Sequence, residues 1–313
     1  MSSSPASATA EELRKVAGTI FALDQTASHD GPGLRMVVYL KGCPLHCLWC
    51  HSPESIAPQP QIIWLGVRCA ACGRCAELCP QGLVPAQMPA EERPERCLEC
   101  LLCARGCPNR ALVVKGERTT AGALADQARR LKPFFARTGG GLTLSGGEPL
   151  LQPEFACAIA TLCRGLRIHV DVETCGFGRW GDLERLAAST ELFLFDLKLL
   201  DEDRHRAFIG QSNQLILDNL RQLSRVHANI IACLPLIPDY TDDDDNVRAV
   251  AKLAEELGLA GLRLLPANPA AAGKYAWLRR EYPLAPALGQ TPERLRQLAE
   301  LAGARGLPVT VVS

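Results

Sequence analysis

Eleven of the fifteen cysteines lie between residues 43 and 107, and no other property of this 313-residue chain restricts its fold as much. Two stretches, "CAACGRCAELCP" (69–80) and "CLECLLCARGCP" (97–108), repeat C-x-x-C-x-x-C-x-x-x-C-P at every cysteine. A third, "GCPLHCLWCHSPES" (42–55), stops at three: Cys43, Cys47 and Cys50. A fourth ligand there comes from elsewhere, with His46 and His51 the nearest candidates, or one coordination position stays open. The start, "MSSSPASATAEELRK", has no apolar signal core and reads as a disordered tail over residues 1–15. No apolar run approaches the roughly 18 residues of a membrane span. The reading is therefore a cytoplasmic chain, where clustered cysteines bind metal or do chemistry more often than they form disulfides.

The two four-cysteine runs have bacterial ferredoxin spacing, in which the fourth cysteine of each run serves the other cluster. Crossing them assigns Cys69, Cys72, Cys75 and Cys107 to one 4Fe-4S cluster, and Cys97, Cys100, Cys103 and Cys79 to another. A pair of zinc sites is the competing reading, but zinc favours well-separated C-x-x-C pairs. Residues 58–116 are rich in Pro, Gln and Cys with little apolar periodicity, which reads as an insertion held by its clusters rather than by a core. Its seven Lys and Arg from residue 68 to 115 face five acids, unlike a free-standing acidic electron carrier.

The rest of the chain, residues 16–57 and 117–313, alternates strand-like and helix-like segments. Strands are expected at 34–42, 141–146, 166–174, 192–200, 229–238, 261–267 and 308–312. Amphipathic stretches such as "QPEFACAIATLCRGL" and "SNQLILDNLRQLSRV" lie between them, and "TDDDD" opens one with Thr241 as N-cap. Alternation of this kind implies a parallel sheet, whose functional residues gather at the C-terminal strand ends. Charge is balanced, with 34 bases and 34 acids, so nothing points to nucleic acid or an anionic membrane. With 47% apolar residues the chain can bury one large core.

Applied to the unusual residues, the strand-end rule collects them. Cys43, Cys47 and Cys50 follow the first strand; "SGGEP" (145–149) ends the second, "ETCG" (173–176) the third and "DLK" (196–198) the fourth. "CLPLIP" and "LLPAN" close the next two. Each has a plain alternative: Gly146–Gly147 as a turn, Asp196 and Lys198 as a surface pair, Cys175 and Cys233 as small buried hydrophobes. Six consecutive strands delivering such residues to one rim favour a site.

The segments "DGPGLRMVVYLKGCPLHCLWCHSPES", "LSGGEPLLQ", "VETCGF", "LFDLKLLDEDRHRAFIG" and "LLPANPAAAGKY" together resemble the radical S-adenosylmethionine (SAM) enzymes, and more narrowly the glycyl-radical-enzyme activating enzymes. The resemblance runs over about residues 17–285. It implies an α/β fold, a partial (β/α)6 barrel with an inserted ferredoxin-like domain carrying two 4Fe-4S clusters. It also answers the question of the third run. Three thiolates would hold three irons, and the amino and carboxylate groups of SAM would take the fourth, so neither histidine binds iron. An electron then cleaves the C–S bond to give methionine and a 5′-deoxyadenosyl radical.

By the same resemblance Cys43, Cys47, Cys50 and Lys198 are the catalytic set. Trp49, Cys50, His51, Gly146, Gly147, Glu148, Asp196, Lys198 and Asn268 contact SAM. Glu173, Thr174 and Asp196 stand where some relatives hold a monovalent cation near the SAM carboxylate. Departures are Cys233 for an arginine, "FIG" (208–210) for Y-T-G, and Asn268 for a histidine. The implied function is an oxidoreductase that takes a hydrogen from a backbone glycine of a partner glycyl radical enzyme. Flavodoxin or ferredoxin would be the electron donor and the chain a monomer. A radical SAM enzyme acting on a small molecule is the alternative, separated by whether a partner gains a radical. An electron carrier is a third, disfavoured by the strand-end residues.

Overall fold

The computed structural model describes residues 8–84, 88, 96–284, 289–304 and 306–312. Among these, nine strands form one sheet: β1 (Ala17–Ala27), β2 (Arg35–Leu40), β5 (Glu117–Thr120), β6 (Gly141–Gly146), β7 (His169–Thr174), β8 (Leu192–Asp196), β9 (Ile230–Leu236), β10 (Gly261–Pro266) and β11 (Val309–Val311). The order is β11-β10-β9-β8-β7-β6-β2-β1-β5. From β2 to β11 every neighbouring pair is parallel; β1 and β5 add antiparallel to the β2 edge. Strands β2, β6, β7 and β8 are buried almost without a break, as expected where helices cover a parallel sheet.

The sheet curls. Five strand spacings separate β2 from β10, about 24 Å in a flat sheet, yet residues after both line one cavity. Arg263 of β10 also donates to the carbonyl of His29, just before β2, at 2.7 Å. At the opposite, N-terminal end, Arg35 and Asp171 form a fully buried ion pair at 3.1 Å across β2 and β7. The guanidinium also donates to the Thr143 hydroxyl at 2.6 Å and to the Leu142 carbonyl.

Three expectations are corrected. Residues Ala10–Lys15, read as tail, form a helix closed by a Thr9–Glu12 capping box; residues 1–7 lie outside the described set. The helix Asp244–Glu256 is capped by Asp243, whose carboxylate accepts the Asn246 N–H, and not by Thr241. Thr241 instead accepts the N–H of Ile237 and donates to the carbonyl of Pro235, pinning the end of β9. Finally, the cysteine-rich segment has apolar packing of its own. A ribbon of β3 (Gln61–Trp64) against β4 (Leu112–Lys115) puts Ile62 and Leu112 over Cys103.

Candidate functional site

A cavity of about 560 Å³ opens at the C-terminal ends of β2 and β6 to β10. Hydrogen bonds from three directions shape its first wall, the loop after β2. Gly42 and Cys43 donate to the carbonyls of Ser55 and Ile56, which closes the loop on itself. His46 and Leu48 donate to the carbonyls of Ile209 and Phe208, so the "FIG" turn carries the loop from below. Gly147 and Glu148 donate to the carbonyls of Leu40 and Gly42, both at 2.8 Å. That approach requires glycine: a Cβ on Gly147 would lie 2.0 Å from the Gly42 oxygen, and Gly146 sits at φ +116°.

Cys43, Cys47 and Cys50 all line the cavity. Burial pushes each thiol up; Cys47 and Cys50 add to the rise at Cys43, and Cys50 adds to it at Cys47. Thiols so placed ionise only when cations hold the thiolates, which suits an iron cluster. Cys47 also lines a second, more open cavity of about 460 Å³ on the other side of the loop, with His46, Leu48 and Tyr275.

Trp49, His51, Gly146, Gly147, Glu173, Thr174, Asp196, Lys198 and Asn268 line the same chamber as the three cysteines. Lys198 pairs with Asp196 at 2.6 Å and is 11% exposed, so this is not a surface pair. Burial alone would lower the lysine, but Asp196, then Cys47 and Cys175, outweigh it and raise its pKa. Glu173 is pushed up to about 7, by burial first and by the Asp196 charge second, and accepts a hydrogen bond from Ser145. A cation between Glu173 and Asp196 would offset both negative charges.

Glu148 departs from its expected role. It does not line the cavity; its buried carboxylate accepts from the Thr174 hydroxyl at 2.6 Å, the Cys175 N–H at 2.8 Å and the Leu150 N–H at 3.0 Å. It ties the turn after β6 to the end of β7, and thereby spends the Thr174 hydroxyl proton. Asp30 and Tyr39 were missed and do line the cavity, with burial raising both pKa values. Their signal was present in "DGPG" and "VVYL", next to the cysteine loop.

Both four-cysteine runs adopt the same backbone. Each makes a single helical turn around its third cysteine, Arg74–Glu77 and Leu102–Arg105. Each turns left-handed at the same two offsets, Ala71 and Gly73 in one, Glu99 and Leu101 in the other. Such turns expose successive N–H groups, and Glu99 and Ala111 aim theirs at the sulfurs of Cys97 and Cys107. Burial pushes Cys107 up, but backbone N–H groups from Asn109 to Leu112 outweigh it and lower its pKa. Cys75 feels the charges of Cys69 and Cys107, whereas Cys103 feels Cys97, Cys79 and Cys100. Among the described residues no three His, Cys, Asp or Glu side chains are placed to share one metal ion. A cubane cluster distributes its thiolates over four irons rather than one.

A family model described as the Radical SAM superfamily matches residues 37–251. An isethionate sulfite-lyase activating enzyme of Oleidesulfovibrio alaskensis is 38% identical over 281 residues, covering 87% of this chain and 91% of its own. A trans-4-hydroxy-L-proline dehydratase activating enzyme of Clostridioides difficile is 34% identical over 288 residues, covering 89% of this chain and 94% of its own. The solved structure of Streptococcus suis SuiB bound to precursor peptide SuiA has the same fold, with a TM-score of 0.54 at 12% identity, over 90% of this chain and 49% of that one. The chain belongs to the radical SAM superfamily and, within it, to the activating enzymes of glycyl radical enzymes.

Proposed function

We propose that this activating enzyme carries three 4Fe-4S clusters and serves one glycyl radical enzyme, from whose backbone glycine it takes a hydrogen. The observation that carries the reading is the gathering of Cys43, Cys47, Cys50, the Asp196–Lys198 pair and the Gly146–Gly147 backbone around one chamber. With SAM bound, the cluster on these cysteines supplies the electron that yields methionine and a 5′-deoxyadenosyl radical.

The chain's own residues bind and orient. Lys198, kept charged by Asp196, offsets a carboxylate beside the Cys47 thiolate. The backbone at Gly146 and Gly147 would take the amino group of SAM, and Trp49, His51 and Asn268, which line the same cavity, would hold the nucleoside. Glu173, Asp196 and the Thr174 lone pair left free by the Gly176 N–H would make an oxygen-rich seat for a monovalent cation. The names of the relatives span a sulfite-lyase, a dehydratase, a choline trimethylamine-lyase and an indoleacetate decarboxylase partner, so the partner's own reaction varies within this family.

Incubation with SAM, a reductant and the cognate partner is expected to give a glycyl radical spectrum on the partner. Deuterium at that glycine is expected in 5′-deoxyadenosine. Lys198→Ala and Asp196→Ala are expected to lower the radical yield by about tenfold or more, the scale of a lost buried charge contact, with iron content unchanged. Turnover of a free small molecule, with no radical on any partner, would sink the reading.

The crossed sets Cys69, Cys72, Cys75, Cys107 and Cys97, Cys100, Cys103, Cys79 would hold a ferredoxin-like pair of clusters in the insertion. Clusters held there would supply a path for electrons from a flavodoxin or ferredoxin to the cluster on Cys43, Cys47 and Cys50. The shared backbone of the two runs and the crossed charge neighbours support that reading. A Cys72→Ala/Cys100→Ala variant is expected to lose turnover with the protein donor yet keep SAM cleavage driven by dithionite. Retention of both would refute the relay.

A further inference from the structure

Residues 267–279 touch three parts of the molecule at once. Ala267, Asn268 and Ala272 line the SAM cavity. From the helix Ala271–Trp277, Lys274 reaches the cysteine loop, with its Nζ 3.4 Å from His51 Nδ1 and 3.9 Å from Glu54 Oε1. The neighbouring Tyr275 hydroxyl donates to the Leu48 carbonyl of the same loop at 3.5 Å. Just past the helix the side chains turn to the insertion. Leu278 is fully buried against Ile63 of β3, and the Arg279 guanidinium lies 4.7 Å from the centre of the Trp64 ring. Arg279 makes this contact from a left-handed backbone, φ +60°, a conformation that disfavours any residue with a Cβ.

The ribbon needs such a hold. A two-stranded sheet is marginal by itself. Its inner end is fixed by the buried Lys41 ammonium, which donates to Gln61 and to the carbonyls of Glu54 and Ala57. Its outer end, at Trp64 and Leu112, carries the cysteine runs and meets Leu278 and Arg279. One short helix therefore grips the cysteine loop with two side chains and, through the two residues after Trp277, the insertion.

We propose that residues 271–279 are a bracket that fixes the insertion relative to the loop of Cys43, Cys47 and Cys50, with Leu278 and Arg279 as positioning residues for electron delivery. The proposal rests on the relay reading above. Electron transfer between centres falls steeply with separation, so an insertion anchored only at its inner end would sample distances at which delivery is slow. The bracket removes that freedom at the end where the clusters sit.

The test uses the full chain reconstituted with iron and sulfide. Arg279→Gly keeps a backbone that glycine adopts readily and removes the side-chain contact with Trp64. Its turnover with a reduced ferredoxin or flavodoxin is expected to fall about threefold, the worth of one exposed cation–π contact. Leu278→Ala is expected to lower it by more than Arg279→Gly does, because truncating a buried leucine weakens packing more than losing one exposed cation–π contact. Iron content and dithionite-driven SAM cleavage stay at the parent level in both. The second readout is the spin relaxation of the SAM cluster, which reduced clusters in the insertion accelerate at fixed distance; this acceleration is expected to weaken in both variants. Arg279→Lys, which keeps a cation over the ring, recovers part of it. Unchanged relaxation in both variants overturns the bracket, and so does an equal fall in dithionite-driven cleavage, which would place the effect in the cysteine loop. Weakened relaxation with undiminished donor turnover upholds the bracket and removes the relay.

Discussion

Replacing Cys43, Cys47 and Cys50 together by alanine is expected to remove about four of about twelve irons and to abolish SAM cleavage with any reductant. The three thiols sit in a loop held by backbone hydrogen bonds to Ser55, Ile56, Phe208 and Ile209, so the loop does not depend on the cysteines for its path. The variant should therefore fold and keep the iron of the insertion. That separates it from the Cys72→Ala/Cys100→Ala variant, in which dithionite still drives the reaction. Iron and sulfide analysis, with 5′-deoxyadenosine quantified after dithionite reduction, checks both halves. Full iron content in the triple variant, or residual cleavage above background, would remove these cysteines from the centre of the chemistry. Stoichiometric zinc with little iron in the natively purified protein would overturn the cluster assignment altogether.

The second large effect lies at the other end of the sheet. Asp171→Ala is expected to destabilise the protein by about 3–5 kcal/mol, because it strands a buried guanidinium without its counter-charge. Arg35 and Asp171 are both wholly buried, and Asp171 packs so closely on Gly31 that a Cβ there would lie 2.2 Å from its Oδ2. A domain of ordinary stability holds about 5–15 kcal/mol, so the loss should show as a markedly lower melting temperature at constant iron content. Replacing both partners, Arg35→Met with Asp171→Leu, is expected to recover most of it, since the cost is the unpaired charge rather than the missing bridge. A shift below about 1 kcal/mol for Asp171→Ala would mean that Thr143 and the carbonyls of Leu142 and Pro32 satisfy the arginine unaided.

Much of this arrangement is legible in the residues. The strand expected at 141–146 is β6 with the same bounds, and the others differ only by losing residues at their ends. Parallel strands buried on both faces read as continuous apolar runs, which is why they stand out. The antiparallel edge did not. β1 carries Asp24 and Gln25 among its apolar residues and is exposed towards its end, so it shows no clean period. The helix Ala271–Trp277 was missed for a different reason, since the seven residues of "AAGKYAW" make about two turns, too short for a helical period to show. Glu148 shows a different limit. Its partners Thr174 and Cys175 lie 26 and 27 residues away, and only the folded chain reveals that this carboxylate braces the chamber from behind. Thr241 failed as a cap because Asp243, two residues later in the same run, takes the position and the Thr241 hydroxyl is claimed by β9.

Cys47 stands in a partition, with the SAM chamber on one face and the cavity beside Tyr275 on the other. A carbon radical strong enough to take hydrogen from a peptide backbone is quenched by nearly any redox partner it meets. With an iron cluster on this loop, the Cys47 side of the wall would let an electron enter while the group that delivers it stays outside the chamber.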